Sequence, residues 1–421
     1  MNITTPHTSN RAHAYRDMYV QGVVEASFLW LLRSVAVNQP HYTSIDLGEL
    51  EQRIDAQLNL LMTSMELGWG ACDAALELQE PGEVFAATVT AMRSHEIPKI
   101  QKAVQVGLSN ERTFKGLVSA LGWLPAEIIR PWVERFLNGK DMNHKYLGVA
   151  ACSIRREDPG ELLTNILQRE DCLKHVKLHS RALRLIGELR RQDLMPALQA
   201  AAGSSKADIA FWASWSSILL GQHAMVRNLH PLVLKRGPFQ ARAIQLVFRV
   251  LPVEQGREWI SVMTKDPANI RAVVSATGIL GDPHAVNWLI SKMTDPLLAR
   301  LAGESFSTIT GVDLEKHQLH TQPPAGQSLI PNDDPTDPNV DLDEDENLPW
   351  PNVEKITELW RHHGANFLVG RRYFLGKAIT PEWLKSRIAD GTQRQRHAAA
   401  LELALIDPQS RLINTRAKAS I

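Results

Sequence analysis

The stretch TKDPANIRAVVSATGILGDPHAVNWLISKMTDPLLARLAGESFSTITG, residues 264–311, contains two near-copies of one helical unit. In the first copy, Asp266-Pro267 leads through an apolar helical pattern to the turn LGDP at residues 280–283. In the second copy, Asp295-Pro296 leads through a similar pattern to ITG at residues 309–311, about 30 residues further on. Self-similarity at this period is typical of stacked helical pairs, in which each pair buries its apolar face against its neighbours. We therefore predict an α-solenoid.

Glycine-containing signatures predict where the helices of the other repeats end. Glycine adopts the positive φ that terminates many helices, so we expect a helix end at each signature. Their spacing is close to multiples of about 30 residues, with some markers missing, which predicts roughly seven degenerate repeats. The signatures are Leu121-Gly122, Ile186-Gly187, Leu220-Gly221, Leu280-Gly281 and Thr310-Gly311.

The turn chemistry at residues 180–189 and 276–283 resembles the HEAT-like repeats first recognised in phycobilisome lyases. This resemblance covers about half of the chain and implies a fold, not a reaction. The predicted class is therefore all-α, a degenerate HEAT-like α-solenoid. The expected division is a helical N-terminal cap at 1–83, repeats at 84–319, an acidic disordered linker at 320–351 and a helical basic C-terminal segment at 352–421.

The N-terminal cap is predicted from two patterns. The run ASFLWLL at residues 26–32 is apolar but far shorter than the roughly 20 residues that span a bilayer, so it predicts a buried helix. Asp46 followed by Glu49 suggests the N-cap of the next helix.

The polar first ten residues lack a secretory signal, and three cysteines without a C-x-x-C pair favour a reducing compartment. We therefore expect a cytoplasmic protein.

The linker and the tail carry opposite charge. Residues 321–351 contain no Lys or Arg, and their many carboxylates and few apolar groups predict disorder. Residues 371–421 contain ten Lys and Arg against four Asp and Glu. Over the whole chain, 46 basic residues balance 46 acidic ones, which argues against a protein whose main task is to grip nucleic acid.

Four segments together resemble a family of uncharacterised proteobacterial proteins with degenerate HEAT repeats. These are ASFLWLLR at 26–33, LPWP at 348–351, RQR at 394–396 and ALELAL at 400–405. The resemblance implies no activity, because none is established for the family. Its genes are often found among type VI secretion and effector genes, which implies a partner from such a system.

Catalytic motifs are missing from the sequence: it has no glycine-rich phosphate loop, no Gly-x-Ser-x-Gly elbow and no His-Glu-x-x-His helix. His175 and His179 have a spacing that can bind a metal, but Lys174, Lys177 and Arg181 beside them disfavour a cation. We therefore predict a non-enzymatic protein without a metal or cofactor.

Lys174, Lys177, Arg181 and Arg184 follow at steps of three, four and three, which predicts one basic helix face. This face is interpreted as a solvated surface, as a docking ridge for an acidic partner or nucleic acid, or as a site onto which the acidic linker folds. The linker could equally fold onto Arg394 and Arg396. Together with Trp350, these six cations are the predicted partner-binding residues.

Trp212 and Trp215 lie three apart and are flanked by apolar residues, so packing between repeats explains them most simply. Aromatic residues on a basic surface are also used by HEAT-like DNA glycosylases to hold a base. The primary hypothesis is a protein–protein interaction scaffold, acting as an adaptor, chaperone or immunity-like protein for a type VI effector system. The alternative is a nucleic-acid-binding or base-repair protein that uses the basic helix and Trp212 or Trp215.

Overall fold

A computed structural model describes residues 7–324 and 343–419, with side chains from Tyr15 onwards. In these ranges the regular secondary structure is helical, apart from two pairs of two-residue strands. The predicted all-α class is therefore confirmed. None of the helices in this part of the chain is long and apolar enough to cross a membrane.

The chain folds into two compact units. The first comprises Met1–Trp212, Asp390–Gln393 and Ile413–Ile421, and the second comprises Ala213–Ala389 and Arg394–Leu412. The boundary at Trp212 lies inside the segment predicted as repeats, and the predicted C-terminal segment contributes residues to both units. The two units are described separately below.

The first unit is built from helices that pack on alternate neighbours. α1 contacts α2 and α4, and a row then runs from α4 through α6 and α8 to α11. The helices are α1 (His7–Ala36), α2 (Ser44–Met62), α3 (Met65–Ala75), α4 (Pro81–Ser94), α5 (Ile97–Gly107), α6 (Glu111–Trp123), α7 (Ala126–Asn138), α8 (Met142–Arg155), α9 (Glu161–Gln168), α10 (Glu170–Lys174), α11 (Val176–Leu189) and α12 (Met195–Ala201), followed by α13 (Ala207–Leu219), which contains the unit boundary.

Some helix ends in the first unit differ from the prediction. The N-cap of α2 is Thr43, not Asp46: the Asp46 amide donates to the Thr43 hydroxyl, and the Asp46 carboxylate accepts from the Thr43 amide. Gly122 and Gly187 lie inside α6 and α11 and do not end them. In α11 the left-handed residue is Arg190, with φ of 61°, so the predicted helix end was wrong by three residues.

The second unit repeats the alternate packing, because α15 packs on α17 and α17 packs on α19. The HEAT-like solenoid itself stays a prediction, with which this packing agrees. The elements are α14 (Val226–Leu234), α15 (Gln240–Val250), α16 (Val253–Met263), α17 (Ile270–Leu280), α18 (Val286–Lys292), α19 (Ala299–Thr310), β1 (His320–Thr321), β2 (Trp350–Pro351), α20 (Val353–His363), β3 (Tyr373–Phe374), β4 (Lys377–Ala378), and most of α21 (Pro381–Asp390) and α22 (Gln393–Ile406).

The two copies at residues 264–311 fold as predicted. Asp266 and Asp295 each accept a hydrogen bond from the backbone amide two residues on, and Gly281 and Gly311 end α17 and α19 with φ of 74° and 72°. Both glycines also receive the antiparallel hairpin β3–β4, where a Cβ at either position would overlap a hairpin carbonyl oxygen. The turn glycines therefore provide both a helix end and a docking point for the tail.

The acidic segment is ordered at both flanks, so the prediction of disorder was wrong for 320–321 and 343–351. His320 and Thr321 pair with Pro351 and Trp350 in an antiparallel register. Asp345 forms a bidentate pair with Arg271 at 2.9 and 3.0 Å, and these opposite charges offset the repulsion that predicted disorder. Residues 325–342, on which the rest of the prediction falls, lie outside the described part of the chain.

Candidate functional site

The predicted basic helix is interrupted at His175. Lys174 ends the short helix α10, and His175 has extended backbone, with φ of −85° and ψ of 94°. The His175 ring accepts a hydrogen bond from the Leu178 amide through Nδ1 at 3.1 Å and so caps α11. The prediction that four cations share one helix was therefore wrong for Lys174, because a side-chain cap starts a new helix after it.

Lys174 and Lys177 are exposed and paired with carboxylates. The Lys174 Nζ lies 2.7 Å from Glu170, and the Lys177 Nζ lies 2.8 Å from Glu111 on α6. Exposed pairs of this kind contribute little to stability, because water screens them. These two lysines fit the interpretation as a solvated surface.

Arg181 and Arg184 instead belong to a partly buried group of charges that we call the arginine cluster: Arg156, Arg181, Arg184 and Glu188. Glu188 on α11 is fully buried. The Arg184 Nε donates to its Oε1 at 2.8 Å, and the Arg156 Nη1 lies 3.2 Å from its Oε2. Arg184 and Arg156 remain partly exposed, with 29 % and 19 % of their side chains accessible, so the cluster opens to solvent.

The packing of α8 against α11 brings Arg156 to Glu188. Arg156 follows the last residue of α8 and adopts a left-handed conformation, with φ of 57° and ψ of 31°. This conformation is uncommon for a residue other than glycine. It turns the chain at the helix end, and the Ser153 hydroxyl one turn earlier donates to the same carboxylate oxygen.

The cluster holds more positive than negative charge. Burial alone would raise the pKa of Glu188, but Arg184, Arg156 and Arg181 together hold it below its ordinary value. Burial, together with repulsion from Arg184, lowers the pKa of Arg181 to about 10. Both groups are ionised at neutral pH, so the four members of the cluster, three guanidinium groups and one carboxylate, together carry an excess of two positive charges.

Arg181 has an unsatisfied donor. Its Nε is buried and has no hydrogen-bond partner among the described residues. A buried donor without an acceptor costs about 1 to 3 kcal/mol, so such groups are rare in folded proteins. A polar ligand that binds here and supplies the missing acceptor would explain why this donor is unsatisfied.

Trp212 borders the cluster. The Arg184 Cζ lies 4.6 Å from the centre of the Trp212 ring, a cation–π distance, and Trp212 is half-buried. Trp215 is only 7 % exposed, which confirms the packing interpretation for that residue. The pair is therefore not a matched aromatic platform, because its two rings differ in accessibility.

The predicted tail residues contact their own unit. Arg394 forms a bidentate pair with Glu304, at 3.0 and 2.9 Å, and donates to the Glu344 carbonyl at 2.8 Å. The acidic segment thus reaches Arg394 through a backbone oxygen. Arg396 Nε donates to the Ile388 carbonyl, and Trp350 is buried.

An exposed apolar stripe runs along α1. Val20, Val24, Phe28 and Leu31 are 47, 53, 59 and 52 % exposed. The opposite face of the helix, which includes Trp30, is buried in the first unit. The prediction that residues 26–32 form a buried helix was therefore wrong for Phe28 and Leu31, because α1 is apolar on both faces and the described residues cover only one of them.

A groove of about 510 Å³ lies between α5, α7 and α8 of the first unit. Its walls combine apolar side chains such as Ile100 and Val104 with Trp132, Arg135 and His144. The Arg135 guanidinium stacks over Trp132 at 5.0 Å.

In the described part of the chain, His, Cys, Asp and Glu nowhere form a group of three or more that could hold a metal ion.

Sequence reasoning missed Glu188 and Arg156. The spacing of Glu188, four after Arg184 and seven after Arg181, could have placed it on the same helix face. Arg156 gave no such signal, because only tertiary packing brings it to α11.

Comparisons with protein-family models, with curated proteins and with solved structures gave no match. The class that the fold defines is an all-α protein with alternately packed helices.

Proposed function

We propose that the protein is a non-enzymatic scaffold that binds a client protein through the apolar stripe of α1. The observation that supports this proposal is the exposure of Val20, Val24, Phe28 and Leu31 on one helix. A continuous exposed apolar surface is costly in water and is typical of a protein interaction site. Covering these side chains would contribute about 25 cal/mol for each Å² removed from water.

The stripe has the geometry of a helix-docking surface. Steps of four, four and three residues keep the four side chains on one face, over a length of about 16 Å. A groove or helix of a client with anchors at the same spacing would fit this face. The buried side of α1, with Tyr19, Val23 and Trp30, holds the helix rigid before binding, which lowers the entropic cost of association.

The client is proposed to belong to a type VI secretion or effector system. This part of the proposal rests on the family resemblance of the sequence alone. An adaptor, a chaperone and an immunity-like protein would each need a stable client contact of this kind, and the nature of the captured client distinguishes the three roles.

The test is affinity purification from the native host at about 150 mM salt, where weak ionic contacts are screened. The double variant V24E/F28E should lose the client, since hot-spot aromatic residues commonly change affinity by about tenfold or more. The control is Leu78→Glu, which places one such glutamate at an apolar side chain that is 65 % exposed and lies outside the stripe. Retention of the client by V24E/F28E would contradict the proposal.

Light scattering of the purified protein separates two further outcomes. A dimer that V24E/F28E converts to a monomer would mean that the stripe binds a second copy, which would overturn the client proposal. Recovery of nucleic acid without a protein client would instead favour the nucleic-acid alternative. That alternative predicts loss of binding when Lys174, Lys177, Arg181 and Arg184 are reversed together.

A further inference from the structure

We propose that the arginine cluster of Arg156, Arg181 and Arg184 is a binding site for a dianionic phosphoryl group, either inorganic phosphate or a small phosphate monoester. This site is separate from the stripe on α1 and does not depend on the proposed scaffold function. It is formed entirely by residues of the first unit.

The charge of the cluster matches this ligand. Three guanidinium groups and one carboxylate give the cluster a net charge of about +2. A phosphate monoester carries about −1.5 to −2 at neutral pH and would neutralise this charge. A carboxylate or a phosphodiester carries a single negative charge and would leave one positive charge uncompensated in a partly buried place.

The donors also match. Planar guanidinium groups bind phosphoryl oxygens through paired N–H donors, so arginine is common at such sites. The Nε of Arg181 is the buried donor without an acceptor, and a phosphoryl oxygen would supply one. Glu188 is fully buried beneath Arg184 and Arg156, both of which contact it, so its charge is shielded from a ligand on the solvent side.

The surroundings favour a small ligand. Trp212 lies against Arg184 on one side of the cluster, and Tyr146 is close enough to Arg181 to influence its pKa. An aromatic or nucleoside group attached to the phosphate would find a half-buried ring beside it. Lys177, the nearest exposed cation on α11, is already paired with Glu111, which makes an extended nucleic-acid track less favourable.

The test is calorimetric titration of the full chain at constant ionic strength with inorganic phosphate, phenyl phosphate and a single-stranded oligonucleotide. Phosphate should bind at one site, and Arg181→Met should weaken it by about tenfold or more through loss of charge and donors. Arg181→Lys, which keeps the charge but loses the fork, should weaken it less. The control Arg169→Met removes an exposed arginine of the same unit, paired with Asp171, and should leave binding unchanged.

The outcomes separate the sources of the ligand. Tighter binding of phenyl phosphate indicates a monoester with an aromatic group, whereas equal affinity indicates free phosphate. Equal affinity of the wild type and Arg181→Met would overturn the proposal. Binding of the oligonucleotide without phosphate binding would also overturn it, in favour of nucleic acid.

A pH series tests the dianion directly. Phenyl phosphate, a monoester, loses its second charge around pH 6, so its affinity should fall between about pH 7.5 and 5.5. Sulfate stays dianionic over this range and controls for titration of the protein, including His179 on α11, whose pKa is lowered by burial. The pKa of Lys177 is raised by Glu111 and that of Glu188 is held low by the arginines, so both groups keep their charges in this window. An equal change for both anions would contradict the proposal.

Discussion

Glu188 in the first unit and Glu402 in the second are both buried glutamates that face arginines, but the arginines around them differ in how completely their donors are used. Arg372 binds both oxygens of Glu402 at 2.8 Å, and its other donors reach the carbonyls of Leu280 and Arg249. Arg249 Nε lies 3.3 Å from Glu402, and its Nη1 donates to the Gln245 side chain.

The Glu188 cluster has one more arginine and one unused donor. Arg181 brings a third guanidinium to a single carboxylate, and its Nε finds no acceptor in the described part of the chain. Burial lowers the pKa of Arg181 and of Arg249 alike, to about 10. The same residue types thus form an internal clamp where the donors are satisfied, and a candidate ligand site where one is not.

The largest expected effect is on the clamp. Glu402→Gln leaves Arg249 buried without its charge partner, so the free energy of unfolding should fall by about 3 to 5 kcal/mol. Chemical denaturation measures this loss. Glu358→Gln, which removes a carboxylate from an exposed pair with Arg361, should change stability by less than about 1 kcal/mol. Equal losses of stability in the two variants would show that the buried carboxylate of Glu402 contributes no more than an exposed one.

A smaller, pH-dependent effect is expected at the candidate site. Glu188→Gln should cost about 2 kcal/mol at pH 7, since charged hydrogen bonds to Arg184 and Arg156 are lost. The folded-state pKa of Glu188 lies below the ordinary 4.5, so this stability is present above pH 4.5 and is lost as the pH falls through the folded-state value. Unfolding curves of wild type and variant should therefore converge in acid.

The control for this pH series is Glu170→Gln, at an exposed pair with Lys174 in the same unit. It should be close to the wild type at every pH. A stability difference for Glu188→Gln that stays constant down to strongly acidic pH would show that the carboxylate charge of Glu188 is not what stabilises the cluster.

The smallest effect has the opposite sign. Arg181→Met removes a charge that burial and Arg184 destabilise and an Nε without an acceptor, so the protein should be more stable by about 1 kcal/mol in phosphate-free buffer. Arg372→Met, the matched change in the clamp, should be destabilising because four hydrogen bonds are lost. Thermal unfolding of both variants provides the comparison. A destabilised Arg181→Met would place Arg181 among the structural arginines.

Local sequence determined much of the secondary structure. The repeat at residues 264–311 predicted helix ends at Gly281 and Gly311, and the structure confirms them, because a positive φ at a helix end depends on a few neighbouring residues. The same logic was wrong where a neighbour competed. Thr43 caps α2 before Asp46 can, and His175 divides the basic helix because its ring reaches the Leu178 amide.

The sequence predicted only some of the charged residues at the candidate site. Arg181 and Arg184 were found from their helical spacing, but that spacing could not show that they turn toward a buried carboxylate. On α1, the sequence likewise could not show which apolar side chains are buried. Phe28 and Leu29 are equally apolar in sequence, yet Phe28 is exposed and Leu29 is buried, because burial depends on which face the neighbouring helices cover.

By itself, the sequence determined the all-α class, the turns of the repeat at residues 264–311 and the balance of charges, since these follow from spacing and composition. Only the tertiary structure decided which charges meet. Lys418 pairs with Asp55 at 2.6 Å, and Asn414 donates to the Ile154 carbonyl, although hundreds of residues separate the partners of each contact. Arg156 reaches Glu188 for the same reason. Helix packing brings the two residues together, and their spacing along the chain does not predict the contact.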